Sequence, residues 1–560
     1  MSTVTIIQNN IPEAGGALPP DDAHAVSVSL RTWDNTLKWA KKEPRFLDQM
    51  KTGYPRFFIP RIVRELSNKL LGWASRRQTA DSSHPKLTAL ISNTDQTSLI
   101  FPRKWMAKAC QEYLTFAFQD TVILEFSFAG ECKVVKDFSP TYLGLDQETV
   151  YLIAFEEDLM PKAKSFWQHA GLGISTRCAT FWLENAPFLR MQRKKSIPAI
   201  LPLDEAEEAN FTLRQRIANL LCTESHQVGL EDVYLYSSGM SAIYHSAAAI
   251  LGGQSTSHSD HKVAIFGFLY VDTFKVLSKV YGFDYVLYGH ASPSDLDQLE
   301  RDLDSGLHID ALYTEFPGNP LLNSPDLTRL RALAEKYNFL FIVDDTVATS
   351  VNVSILSICD VICTSLTKMF SGGCNVMGGS LVLNPRSKFY QRLCKKIGHH
   401  FEDTCFPLDV LVMEQNSINF ESRVVKASHN AAHLAQMLRD HPTVAEAFYP
   451  KHNGSQHIYD QFKKPRRGYG FLLSIRFLQP SAAIAFHDAL LVAKGPSLGT
   501  NFTLCCAYTL LAHYSELEWA AKFGVVEHLV RISIGIEDLD YLKDLFRIAL
   551  TAASNAIEPF

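Results

Sequence analysis

Along the second half of the chain, short apolar runs alternate with helix-like stretches. The runs Val263–Gly267, Tyr285–Tyr288, Ala311–Phe316, Phe339–Val343, Val361–Thr364 and Ser380–Leu383 are rich in Val, Ile, Phe and Tyr. They predict strands of a mostly parallel sheet covered by helices, because such strands are shielded from water on both faces. A further strand is expected to end at Tyr236, where a small-residue turn opens a helix. Between the runs, Ser324-Pro325-Asp326 reads as a cap, a proline at the first helical position and an acid favoured by the helix dipole. Leu327, Leu330 and Ala334 then repeat on one face, which predicts packing on the sheet.

The pattern changes on either side. From Met1 to Glu224 there are mixed runs, strand-like at Thr121–Phe128 and Val150–Phe155, and no constellation that carries chemistry. Arg190, Arg193, Lys194 and Lys195 precede Pro198 and Pro202, and an amphipathic helix from about Glu205 to Leu221 follows, so this reads as a junction. After about Lys395 come a long helical region, a strand at Phe471–Phe477, a helix at Ala482–Leu490 and a terminal helix near Tyr541–Ala552. The expected organisation is an N-terminal extension over 1–204, an α/β large domain over 205–395 and a smaller α+β domain over 396–560.

Composition narrows the possible partners. With 46% hydrophobic and 20% charged residues and a formal charge of -5, this is ordinary globular material without a long basic block, which disfavours nucleic acid and anionic membranes as partners. No run approaches the ~20 apolar residues of a spanning helix. The 11 cysteines are scattered without paired zinc spacing and read as reduced thiols. No secretory apolar run follows Met1, and together these points predict a cytoplasmic protein acting on small molecules.

Four stretches offer chemistry. Lys368 closes Thr364-Ser365-Leu366-Thr367-Lys368, just past a buried strand and before Gly372-Gly373 and Gly378-Gly379; its amine suits attack on an aldehyde, and Ser365 and Thr367 offer hydroxyls to a phosphate. Most lysines after a strand are merely solvated. Ser238-Gly239-Met240 begins a helix whose free amides favour a phosphate, or is an ordinary cap. Asp344 and Asp345 end a strand where ligands sit in open α/β sheets, and metal binding or capping is open to them as well. Asn319, in the turn after another strand, and Arg531, whose guanidinium fork matches a carboxylate or a surface salt bridge, complete the set.

These are the needs of a pyridoxal phosphate (PLP) enzyme: an amine for the aldehyde, donors for the phosphate, an acid for the pyridine nitrogen and a grip on the substrate carboxylate. The stretches VYLYSSGMSAIYH, FGFLYVDT, TEFPGNP, VDDT, TSLTKMFSGGCNVMGGS, KGPSLGTNF and RISIGIEDLD together resemble the cystathionine γ-synthase family, the Cys/Met-metabolism branch of fold-type I PLP enzymes. HAVSVSLRTW and TGYPRFF are similar to the N-terminal extension of its fungal members.

The resemblance implies a fold-type I PLP-dependent transferase with a central, mostly parallel seven-stranded sheet. It also implies Lys368 as the Schiff-base lysine and proton shuttle, Asp344 as the pyridinium partner and Tyr270 stacked on the ring. Gly239, Met240, Ser365 and Thr367 would hold the phosphate, Asn319 would meet the ring hydroxyl, and Arg531 with the Ser497 region would hold the substrate carboxylate. No metal is implied. The expected partners are an amino-acid substrate and a nucleophile co-substrate, in a homodimer or homotetramer with shared sites.

The expected reaction is γ-replacement on an O-acyl-homoserine through a vinylglycine-type intermediate, by a thiol or a carbon nucleophile. A C–S γ-lyase and a non-catalytic binding descendant are the alternatives. Two departures stand out. The family's Tyr-x-Arg pair, which crosses a dimer interface to the phosphate, falls on Ile197 and Ala199 in an ungapped placement, leaving Arg193, Lys194 or Lys195 as substitutes. Gln415-Asn416-Ser417-Ile418-Asn419-Phe420 replaces a stretch that is usually charged.

Overall fold

A computed structural model describes residues 10–55, 57–78, 96–114, 121–136, 148–190, 200–251, 260–398 and 401–557, together with Val4 and Ile7. In chain order the strands are β1 (Ala17–Leu18), β2 (Ser27–Val28), β3 (Gln96–Phe101), β4 (Thr121–Ser127), β5 (Cys132–Val134) and β6 (Thr149–Glu156). Next come β7 (Val233–Tyr236), β8 (Lys262–Phe266), β9 (Asp284–Tyr288), β10 (Ala311–Glu315), β11 (Leu340–Asp344), β12 (Val361–Thr364) and β13 (Gly379–Leu383). The last are β14 (Val444–Phe448), β15 (Leu472–Phe477), β16 (Ala493–Lys494), β17 (Leu504–Ala507) and β18 (Val530–Ser533).

The central sheet has seven strands in the order β7-β13-β12-β11-β10-β8-β9. Neighbours are parallel except around β13, which runs antiparallel to both β12 and β7. Successive side chains of a strand point to opposite faces, and here they divide into two cores. Ala264, Phe266, Leu312, Phe341, Val343, Ile362 and Val382 belong to one. Val263, Ile265, Ala311, Tyr313, Leu340, Ile342, Val361, Cys363 and Leu381 belong to the other. Burial on both faces explains why these strands read as continuous apolar runs.

The helix Leu327–Tyr337 shows one difference from the sequence reading. Its cap is Asp326, which accepts the Arg329 N–H at 3.0 Å, and the Ser324 N–H donates to Ser455 instead. A carboxylate two residues nearer the helix is the stronger acceptor, so Pro325 stays outside the first turn.

Besides the small two-stranded sheet β1-β2, two larger sheets flank the central one. The antiparallel order β3-β6-β4-β5 forms an N-terminal unit, covered by helices Arg61–Gln78, Lys104–Leu114, Met160–Ala170 and Thr176–Asn185 around one apolar core. The order β14-β15-β18-β17-β16 packs against Phe420–Arg439, Pro480–Ala489 and Leu539–Asn555. All eleven cysteines are free in this structure. Among the described residues no helix is long and apolar enough to cross a membrane.

A strap formed by residues 12–55 ties these layers to the carboxyl edge of the central sheet. Val26 N–H donates to Cys374 O at 2.9 Å, Leu30 N–H donates to Lys494 O at 2.8 Å, and Ser27 Oγ donates to Pro496 O. Gly495 permits this approach, because a Cβ there would lie 2.1 Å from Val28 O. Gly495→Ala is therefore expected to cost about 1–3 kcal/mol through overpacking and to loosen the strap. Limited trypsin digestion checks this: cleavage within residues 31–51 should accelerate several-fold, and an unchanged rate would mean that the strap does not depend on this contact.

Candidate active site

The parallel strands of the central sheet end on one edge, where ligands bind in open α/β sheets. All ten residues singled out from the sequence, Lys368, Tyr270, Gly239, Met240, Asn319, Asp344, Ser365, Thr367, Ser497 and Arg531, line a single cavity there. Lys368 follows β12, and its Nζ donates to Tyr54 Oη at 3.0 Å and to Ser497 Oγ at 3.1 Å. The same ammonium stands 4.6 Å from the centre of the Tyr54 ring.

Helix Gly239–Ala248 starts at the cavity wall with Ser238 as its cap, accepting Ser241 N–H at 3.0 Å. The amides of a first helical turn have no partner within the helix, which leaves those of Gly239 and Met240 for an anion. A Cβ on Gly239 would come within 2.7 Å of Ser365 Cβ, so glycine is what lets the two phosphate-type donors share one corner. Thr367 is differently engaged. Its hydroxyl donates to Gly378 O at 3.2 Å and accepts Gly378 N–H at 3.0 Å, pinning the glycine loop across β12 and β13.

The two adjacent acids are told apart by their surroundings. Asp345 is wholly buried and accepts from Ser350 Oγ at 2.6 Å and from Thr364 Oγ1, whereas Asp344 lines the cavity and accepts Thr346 N–H at 2.8 Å. Burial pushes the Asp344 carboxyl above its ordinary range, with the neighbouring Asp345 charge adding to the rise. Among the described residues no group of three or more candidate ligands could hold a metal.

Glu315, at the end of β10, was not singled out from the sequence although it lies in TEFPGNP. It is buried, it accepts the amides of Tyr270 and Asn319, and burial followed by the Asp344 charge raises its carboxyl too. Beside Asn319, Arg531 donates to Asn319 Oδ1 at 3.0 Å and to Ser497 O at 2.8 Å, and its guanidinium stands 4.7 Å over the Tyr508 ring. Ser497 holds φ at +103°, a conformation that L side chains rarely adopt, and it is fixed from both sides by Lys368 and Arg531.

The lysine loop is clamped from behind by Arg423, which is 3% exposed. It donates to Met369 O, Phe370 O, Asn416 O, Asn501 Oδ1 and Asn419 Oδ1 at 2.7–2.9 Å. Burial lowers its pKa to about 10. The unusual stretch 415–420 is thus a neutral acceptor set for a buried guanidinium, and Asn416 also donates to Ser371 and Asn375.

The sequence reading missed Tyr54, Phe57 and Tyr508 as cavity residues. Tyr54 carried a signal, since Tyr54-Pro55-Arg56 spells Tyr-x-Arg far upstream of the position where the ungapped placement looked for it. The strap brings this tyrosine to Lys368 from the same chain. Arg56 lies outside the described residues, as do Arg193, Lys194, Lys195, Ile197 and Ala199.

An aldehyde-reactive amine, helix-start amides beside a serine hydroxyl, a buried acid and an aromatic face in one cavity fit a phosphorylated pyridine aldehyde. A family model described as Cys/Met metabolism PLP-dependent enzyme matches residues 209–551, and one described as fungal trans-sulfuration enzyme, N-terminal domain, matches residues 63–175. A cystathionine gamma-synthase of Neurospora crassa is 35% identical over 97% of this chain and 98% of its own length. A cystathionine gamma-synthase-like enzyme of Amanita muscaria is 36% identical over 99% of both chains. Among solved structures, a cystathionine gamma synthase from Xanthomonas oryzae pv. oryzae shares the fold with a TM-score of 0.53 at 23% identity, covering 62% of this chain and 87% of that one.

The fold and the cavity define a pyridoxal phosphate enzyme of the large α/β class. The chain belongs to the Cys/Met metabolism PLP-dependent enzyme family, and pyridoxal phosphate is its cofactor.

Because the raised Asp344 carboxyl keeps its proton to higher pH in the fold than in the unfolded chain, its ionisation costs apoprotein stability as pH rises through that interval. Apo Asp344→Asn should therefore melt about 1–3 °C above the parent at pH 7.5, with the advantage shrinking toward pH 4. Its affinity for pyridoxal phosphate should fall at least about tenfold. Calorimetry and cofactor titration check both; a lower-melting variant with intact affinity would refute the assignment.

Proposed function

We propose that this chain replaces the γ-acyloxy group of an O-acyl-homoserine with a thiol or a carbon nucleophile. The observation that carries the reading is that one cavity holds the Lys368 amine and the Arg531 guanidinium, both bonded to Ser497, together with Asp344 and Tyr270. The Neurospora relative, a cystathionine gamma-synthase, and the Amanita relative, a cystathionine gamma-synthase-like enzyme, support the same reaction class.

When bound, pyridoxal phosphate supplies the aldehyde that captures the substrate amine and the ring that takes up the electron pair left at Cα. Gly239 and Met240 amides with the Ser365 hydroxyl hold the phosphate, and Thr367 keeps the adjoining loop in place. Asp344 holds a proton on the pyridine nitrogen, Asn319 meets the ring hydroxyl, and the Tyr270 face excludes water from one side of the ring.

Arg531 holds the substrate carboxylate; two of its N–H groups already fix Asn319 and Ser497, so the guanidinium enters the reaction preoriented. Lys368 then moves protons from Cα and back, with Tyr54 and Ser497 fixing where its nitrogen points. At Cγ the C–O bond breaks, the carboxylate leaves, and a C–S or C–C bond forms. Excess thiol or carbon nucleophile therefore yields one amino acid and one carboxylic acid per turnover.

Incubating the holoenzyme with O-acetyl- or O-succinyl-homoserine and candidate nucleophiles, with products identified by mass, tests this. A new substituted amino acid is the expected product; a 2-oxo acid with ammonia, whatever nucleophile is present, would show elimination instead. Lys368→Ala should be colourless and inactive, and Tyr54→Phe should lower kcat about 10–100-fold.

The bond between Tyr54 and Lys368 of the same chain supports a cavity built within one protomer. Lys368→Ala and Tyr54→Ala subunits, unfolded and refolded together, should therefore regain almost no activity. Recovery toward about a quarter of the parent would mean that neighbouring subunits exchange straps.

A further inference from the structure

The N-terminal unit reaches the cofactor cavity by a second route, independent of the strap. Helix Met160–Ala170 packs against the segment that follows Tyr270. Two of its side chains converge on one oxygen of Asp272: His169 Nδ1 at 2.8 Å and Gln168 Nε2 at 3.1 Å from Oδ1. The other oxygen, Oδ2, accepts from Tyr270 Oη at 3.2 Å. Asp272 is wholly buried and His169 is 6% exposed.

A carboxylate without access to water must be held by donors, and donors that hold it also fix its plane. Bonds from a phenol or an imidazole N–H to such a carboxylate are charge-assisted, short and directional. The ring of Tyr270 is consequently fixed at both ends, by its backbone N–H on Glu315 and by its hydroxyl on Asp272.

We propose that His169, supported by Gln168, is a positioning residue of the active site: through Asp272 it fixes the plane of the Tyr270 ring against the cofactor. The N-terminal unit is then a wall of the catalytic centre and not an appendage to it. The proposal rests on the reading that Tyr270 stacks on the pyridine ring.

The test uses full-length His169→Ala, His169→Asn, Tyr270→Phe, Tyr270→Ala and the double variant His169→Ala/Tyr270→Phe. Two readouts apply: the dissociation constant of pyridoxal phosphate for the apoprotein, and the visible circular dichroism of the holoenzyme, which reports how the bound ring is held. His169→Ala should weaken cofactor binding about 5- to 30-fold, the range expected for losing one strong hydrogen bond, and should diminish the visible dichroism. His169→Asn places an amide N–H where Nδ1 stood and should recover most of both. In the Tyr270→Phe background, which has no hydroxyl to orient, His169→Ala should have less than about twofold further effect.

Equal effects of His169→Ala in the parent and in the Tyr270→Phe background would overturn the proposal, since His169 would then act on folding alone. So would unchanged affinity and dichroism in His169→Ala. Should that variant fail to fold, Gln168→Ala and Asp272→Asn carry the same comparison with the same criteria. Tyr270→Ala separates the two layers: if it leaves affinity and dichroism intact, the stacking reading fails, and if it abolishes them while His169→Ala does nothing, only the His169 link fails.

Discussion

One primary amine has to face the carboxyl edge of a parallel sheet and keep its aim while bonds around it are made and broken. Lys368 meets that constraint through partners remote in sequence: Tyr54 from the strap and Ser497 from the small C-terminal sheet's side. Behind it, Arg423 gathers the carbonyls of Met369 and Phe370, so the loop carrying the amine cannot shift without breaking buried bonds. Catalysis by proton transfer depends on position before it depends on acidity, and most of the unusual features of the molecule serve that position.

The cavity carries a stability cost. Asp344 and Glu315 are buried acids whose ionised forms are disfavoured by desolvation, Ser497 holds a rare backbone conformation, and Arg423 is a cation surrounded by neutral acceptors. Each is costly in an empty site, and a bound pyridinium phosphate offsets part of that cost. A fold with two apolar cores on the faces of one sheet can carry such a site, since the strands beneath it remain fully buried.

Much of the central sheet was legible because parallel strands covered on both sides must be continuously apolar, and the residues at their carboxyl ends then stand out as candidates. Asp344, Lys368 and Asn319 were found in that way, and Arg531 by its fork within RISIGIEDLD. The small sheet was less legible: β16 spans Ala493–Lys494 and β17 and β18 only Leu504–Ala507 and Val530–Ser533, too short for periodicity to speak.

Tyr54 and His169 were hidden for a different reason. Their importance comes from non-local hydrogen bonds, Val26 to Cys374, Leu30 to Lys494 and His169 to Asp272, which no local pattern encodes. The Tyr-x-Arg spelling at 54–56 was visible all along, but an ungapped placement looked for it beyond the N-terminal unit that lies between it and the central sheet. The residues alone do not separate Asp344 from Asp345; the family resemblance pointed to Asp344, and the geometry gives the physical reason, since Asp344 lines the cavity while Asp345 is buried against Ser350 and Thr364.

The most direct test of the central claim is to reduce the holoprotein with borohydride and map the labelled peptide. The account predicts that the pyridoxyl tag is found on Lys368, in the peptide containing Thr364-Ser365-Leu366-Thr367. A tag on any other lysine, or none on a protein saturated with cofactor, would contradict it.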